Sequence, residues 1–136
     1  KKINIRPPSE YFLHSDIHGI TWYDVQDEPT FEMVWPEIED LLSGSDYLVA
    51  HNASFDRSVL EACCEYYNLF YRSRPWLCTF RDVARSFWPH LENHKLPTVC
   101  EELGIPIVHH DGLSDARACA KIIIAAYQNQ PNWLKT

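Results

Sequence analysis

Apolar positions along the chain alternate between short runs and helical stripes, and the breaks between them fall at Pro, Gly and Asn. Lys2–Ile5 reads as the end of a strand, stopped by Pro7–Pro8. After a loop, Thr21 predicts the N-cap of a short helical turn. Pro29–Thr30 opens a longer helix in which Phe31, Val34, Trp35, Ile38, Leu41 and Leu42 share one face. Pro36 predicts a kink there, or a place near the first turn, and Ser43–Gly44 ends the helix. Tyr47–Ala50 has the length of a buried strand and stops at His51–Asn52. Ser54 then predicts the cap of a helix reaching about Asn68, with Phe55, Val59, Ala62, Cys63 and Tyr66 turned inward. Pro75–Cys78 reads as another strand, and Thr79 as the cap of a helix through Trp88. Pro97 suits the first turn of a helix that ends at Gly104. The last helix is expected from Leu113–Ser114 to about Gln128. Its polar stripe is Arg117, Lys121 and Gln128, opposite Ala116, Cys119, Ala120, Ile123 and Tyr127. Strands alternating with helices predict an α/β fold.

Composition narrows the class. A chain of 136 residues with 46% hydrophobic and 13% aromatic residues can bury the core of one domain, and disorder is excluded as its general state. No apolar run approaches the ~20 residues of a membrane span, and the mean hydropathy of -0.33 agrees. The five cysteines form no CxxC pair, and the adjacent Cys63 and Cys64 cannot make an ordinary bridge. A reduced, cytoplasmic setting is expected. The net charge of -7 argues at first against a nucleic-acid partner. Between Tyr71 and Lys95, however, five basic residues face two acidic ones, a local +3 that leaves -10 for the remainder. An acidic metal centre beside a basic track would look like this, as would an ordinary solvated surface.

Two segments carry chemistry. Leu48–Asp56, reading LVAHNASFD, delivers Asn52 to the end of a buried strand and Asp56 to the first turn of the next helix. Open α/β sheets bind ligands at that edge. Taken singly, Asp56 reads first as an ordinary first-turn acid favoured by the helix dipole. His110–Asp115, reading HDGLSD, sets a histidine on a loop five residues before an aspartate that begins a helix. With an ordinary pKa near ~6.5, an imidazole placed so can take a proton from water. A surface loop beside a second first-turn acid fits the same residues.

In this order the two segments resemble the second and third motifs of the DEDDh (DnaQ-like) 3′–5′ exonucleases, the family of the proofreading epsilon subunit of bacterial DNA polymerase III. Asn93–Cys100 with Leu103-Gly-Ile105 is similar to the helix and turn that precede the third motif there, and His18-Gly-Ile-Thr21 to a turn that meets the terminal nucleotide. The resemblance implies an RNase H-like fold with a mixed sheet flanked by helices. It also implies two-metal hydrolysis of a phosphodiester, with Mg²⁺ or Mn²⁺ ions ~4 Å apart. Asp115 would bind one ion directly and Asp56 would support the second, with His110 as general base. Asn52 and Phe55 would contact the terminal nucleotide, as would His18, Ile20 and Thr21. The implied partner is the 3′ end of a single strand, DNA ahead of RNA, read through backbone and base faces with little sequence preference. Fusion to a polymerase, or association with one, fits the same resemblance.

The family's first motif is an Asp-x-Glu on a strand, where two-residue spacing puts both carboxylates on one face. Here only Glu37 and Glu39 have that spacing. They lie in an expected helix, where side chains two apart diverge. The resemblance aligns Lys2–Ile5 with the family's third strand, so the first two, which lie between it and Tyr47–Ala50, are absent. Residues 1–136 are therefore read as one exonuclease domain, incomplete at its N-terminal side, inactive and poorly folded alone. Two alternatives stand beside this reading. One is an RNase H-like binding or scaffold module that has lost catalysis. The other is a metallohydrolase built on His14, His18, His51, His109 and His110. His14, His90 and His94 are otherwise expected as surface or turn residues, and Trp22, Trp35, Trp76 and Trp88 as core.

Overall fold

A computed structural model describes residues 1–135; Thr136, the last residue of the expected domain, lies outside them. Two short turns, α1 (Ser15–His18) and α2 (Trp22–Val25), precede the longer α3 (Phe31–Ser43). Strand β1 (Leu48–Ala50) leads into α4 (Ala53–Tyr66), which returns the chain to β2 (Trp76–Cys78). A π-helical stretch, Thr79–Ala84, runs on into α5 (Arg85–Phe87). Helices α6 (Leu96–Glu102) and α7 (Gly112–Asn129) come next, with a 3₁₀ turn at Trp133–Lys135.

The sheet of the described residues is β1 paired in parallel with β2, in register Leu48 with Trp76 and Ala50 with Cys78. Parallel pairing requires a crossover, and α4 provides it. The main core gathers on one side of this pair. Val83, Ala84, Val99, Cys100, Ile122 and Ala126 are fully shielded there, joining the π-helical stretch to α6 and α7. A second cluster sets Phe31 and Trp35 of α3 against Cys64 of α4.

Several sequence expectations change. Lys2–Ile5 forms no strand: it has no neighbour to pair with among the described residues, and the nearest bridge is Arg6 with Thr30. Asn52, not Ser54, stands at the N-cap of α4, and the Ser54 hydroxyl reaches the Asn52 amide oxygen at 3.4 Å. Thr79 is buried, and the N-cap role falls to Cys78, whose Sγ accepts the Arg81 N–H at 3.4 Å. Asp111 caps α7 and starts it at Gly112. A helical turn does form between His14 and His18.

The inward faces differ most. On α4, Ala53 and Cys64 are buried, whereas Phe55, Val59, Ala62 and Tyr66 face out. On α7 the buried stripe is Ala118, Cys119, Ile122 and Ala126, leaving Ala116, Ala120 and Tyr127 exposed. Leu41 of α3 is exposed as well. The helical periodicity is present in each case, but part of each apolar face has no cover among the described residues. Trp35 and Trp88 are core residues, as expected.

Candidate active site

β1 ends at Ala50, and the chain turns through Asn52 in the left-handed region, φ 68° and ψ 51°. Asparagine is among the few residues other than glycine that enter this region readily. The turn lets α4 begin at once and sets Asp56 in its first turn, near the positive end of the helix dipole. The residue as a whole is solvent-exposed, yet its carboxyl is held above the ordinary range because the cleft wall removes part of its water.

The second segment is fastened by its own polar side chains. The Asp111 carboxylate accepts the Ser114 N–H at 2.9 Å, and the Ser114 hydroxyl accepts the Val108 N–H at 2.7 Å. Both bonds hold the loop against the start of α7. The Ser114 N–H, with a smaller contribution from Lys2 at 3.4 Å, keeps the Asp111 carboxyl below the usual range. Between these anchors His110 is left-handed, with φ 67°. A histidine held there is a sparsely populated conformation of the kind that concentrates at functional sites.

Asp115 follows in the first turn of α7. Its Oδ1 is shielded from solvent and has no hydrogen-bond partner among the described residues. The nearest cationic candidate is His109 Nδ1 at 3.7 Å, beyond hydrogen-bond reach. His109 and His110 lie ring over ring, with centroids 3.8 Å apart.

These pieces meet at two adjoining clefts. Asn52, Asp56 and Asp115 line one of about 880 Å³, with His51, Phe80, Lys95, His109 and Cys119 around them. His18, Ile20 and His110 line the other, of about 740 Å³, and His109 borders both. Cys119 lines the same cleft as the acids. Burial raises its thiol above the usual range, and the charges of Asp115 and Asp56 push it the same way. The structure therefore gathers Asn52, Asp56 and Asp115, with His110 at the next opening. Thr21 and Phe55 are not gathered with them. The Thr21 hydroxyl is committed to Asp24 at 2.8 Å, and Phe55 is 64% exposed on α4 and lines neither cleft. His18 accepts the Ile20 N–H at 3.0 Å and faces the Leu13 carbonyl at 3.2 Å, so both ring nitrogens serve the turn itself.

Patterning does not find the pair that braces the cleft. His51 Nε2 lies 2.9 Å from the His94 carbonyl, which can only accept, so Nε2 carries the proton. Nδ1 is then free to accept the Thr79 hydroxyl at 2.8 Å. His94 in turn reaches the Trp88 carbonyl at 2.9 Å. His94 is thus a half-buried tie rather than a surface residue. Desolvation is the largest influence on His51 and lowers its pKa, while the His94 carbonyl opposes this. A lowered pKa means that folding favours neutral His51. Its contribution is complete above the ordinary histidine pKa and is lost as pH falls through the lower folded value. The stability difference between wild type and His51→Gln, from denaturant midpoints at successive pH values, is expected to shrink on acidification. A difference that grows on acidification would contradict the neutral assignment.

The family described as exonuclease matches residues 14–123. The PolC-type DNA polymerase III of Oceanobacillus iheyensis is 36% identical over 109 residues, 79% of this chain and 8% of that protein. Its counterpart in Bacillus subtilis is 29% identical over 110 residues, 80% of this chain and 8% of that protein. The chain thus spans under a tenth of these relatives' length. A solved structure of Exonuclease X in complex with 5′ overhanging duplex DNA superposes with a TM-score of 0.66 at 29% identity, covering 86% of this chain and 65% of that one. The α/β RNase H-like exonuclease fold expected from the motifs is the fold of this chain.

Proposed function

This chain belongs to the exonuclease family, in its DEDDh type, and on that premise we propose that it carries part of the active site of a metal-dependent 3′–5′ exonuclease. The substrate is the 3′ end of a single strand, DNA ahead of RNA. The observation that supports this most directly is that Asp56 and Asp115, 59 positions apart in sequence, line one cleft beside the end of β1. Cytoplasmic DNA processing alongside a polymerase fits the relatives, which are polymerase III proteins, and the neighbour, which was solved with DNA. No helix among the described residues is long and apolar enough to cross a membrane.

The donor chemistry fits divalent cations. Asp115 offers a shielded oxygen with no hydrogen-bond partner among the described residues, and Asp56 a carboxyl that loses water to the cleft wall. Such oxygens suit Mg²⁺ or Mn²⁺. Bound there, two cations would stabilise the charge on the attacking and leaving oxygens of the displacement. The chain's own residues do the rest. His110 takes the proton of the attacking water at a ring nitrogen, and its loop position lets it swing toward the strand end. Asn52 presents a side-chain amide at the cleft wall to orient the terminal nucleotide. Ile20 offers an apolar surface for its base or sugar. Lys95, the one lysine or arginine among the residues lining that cleft, stands where a phosphate would be held.

Two carboxylates are too few for two ions. Among residues 1–136 the remaining acids of the DEDDh set have no counterpart, since Glu37 and Glu39 are carried on α3 and Glu37 is paired with Lys1. The acids belong, on this reading, to strands outside residues 1–136 that also cover the open faces of α4 and α7. The test is digestion of single-stranded DNA by the full-length protein, with label at the 3′ or the 5′ end. Early release of the 3′ label, dependent on Mg²⁺ or Mn²⁺ and abolished by a chelator, is expected. Early release of the 5′ label, or digestion that survives chelation, overturns the assignment.

A further inference from the structure

We propose that His109, His110 and Asp115 form a binding site for a single transition-metal ion, Zn²⁺ by preference, whose occupation switches the nuclease site off. Their ligand atoms, one from each residue, all lie within 4.8 Å of one another. A four-coordinate zinc ion with bonds of ~2.0–2.1 Å to nitrogen and oxygen needs ligand atoms about 3.4 Å apart. His109 Nδ1 and Asp115 Oδ1 are already at 3.7 Å. The two imidazoles are exposed on their loop, so small ring rotations complete the approach. Asp115 is the fixed ligand, held in the first turn of α7, and its Oδ1 is shielded with no hydrogen-bond partner among the described residues. The open cleft leaves the fourth position to water.

Two imidazoles and one carboxylate are a donor set for zinc rather than magnesium. Nitrogen ligands favour Zn²⁺, whereas Mg²⁺ prefers oxygen and gives up its water reluctantly. The consequence for activity rests on the function proposed above. An imidazole nitrogen bound to zinc has no lone pair for a proton, so His110 could not act as a base. Asp115 would likewise be lost to the catalytic cations. His109 has no part in the proposed hydrolysis, which makes it the residue that separates the two states.

The experiment uses the full-length protein and its His109→Ala variant, with folding checked by circular dichroism. Co²⁺ added without Mg²⁺ is expected to give the visible absorption of four-coordinate cobalt, one ion per chain, and Zn²⁺ to displace it. In His109→Ala the band is expected to disappear and zinc affinity to fall by more than about tenfold. Stoichiometric Zn²⁺ is expected to suppress Mg²⁺-supported hydrolysis in wild type by more than about tenfold, and in the variant to leave the rate close to that variant's own zinc-free rate. Equal zinc affinity and equal cobalt spectra in the two proteins overturn the site. Zinc binding that depends on His109, in a protein that hydrolyses nothing with any metal, supports the site and removes the nuclease assignment instead.

Discussion

His110→Ala in the full-length protein is expected to slow hydrolysis about 10²- to 10⁴-fold and leave nucleic-acid binding close to wild type, the range a positioned general base contributes. The side chain borders a cleft next to the one lined by Asp56 and Asp115, on a loop anchored by Asp111 and Ser114. Removing the imidazole breaks none of those anchoring bonds. The two carboxylates, and with them the proposed cation site, are expected to stay in place. Asp115→Ala is expected to behave differently, losing both activity and tight metal binding, because its shielded carboxylate is the proposed ligand. Single-turnover digestion and a binding titration in the absence of hydrolysis separate the two effects. Full activity in His110→Ala would remove the histidine from the mechanism. Normal metal binding in Asp115→Ala would remove the aspartate from the cation site.

The second large effect concerns folding. Residues 1–136 expressed by themselves are expected to aggregate, to melt without a cooperative transition and to leave DNA intact. Two strands of three residues form the sheet among the described residues, and so small a sheet is marginal without further strands. Apolar surface is open on the helices packed against it. Phe55, Val59 and Tyr66 succeed one another along α4, with Phe55 and Tyr66 64% and 68% exposed, and Ile124 and Tyr127 are uncovered on α7. Faces of this kind drive association. The measurement is thermal melting with light scattering on purified residues 1–136. A soluble monomer with a sharp melt would sink the expectation, and digestion by it would place the missing acids within these residues.

The same open faces mark the limit of what the sequence tells. The order of helices and strands was legible because apolar spacing and the Pro, Gly and Asn breaks record local structure. Helix α6 and strand β2 fall where the pattern sets them. The RNase H-like class was legible from the two motifs, as was the approach of Asp56 to Asp115, each in the first turn of its helix. His110, expected to converge with them, lines the neighbouring opening instead. Which side of a helix meets a neighbour was not legible. Periodicity marks an apolar stripe at Phe55, Val59 and Tyr66, but a stripe is buried only if something lies against it. The brace from His51 to Thr79 and His94 was illegible for another reason. Its partners are 28 and 43 positions away, and one of them is a main-chain carbonyl that carries no residue signature. The cap of α4 went to Asn52 rather than Ser54 because the left-handed turn out of β1 begins the helix sooner.

The π-helical stretch at Thr79–Ala84 bears on how this segment tolerates change in length. A π turn holds more residues than an α turn, its bonds running from i to i+5. Thr79, Val83 and Ala84 are fully buried through it, and Phe80 reaches the cleft wall beside His51, 5.6 Å between ring centroids. Deleting one residue would draw the turn back to α spacing and rotate the residues before the deletion by about 100° against those after it. Either Thr79 and Phe80 would leave His51 or Val83 and Ala84 would leave the core. Insertions and deletions are therefore expected to gather in the exposed turn at 89–90 and to be purged from 79–84, whichever residue types occupy those positions.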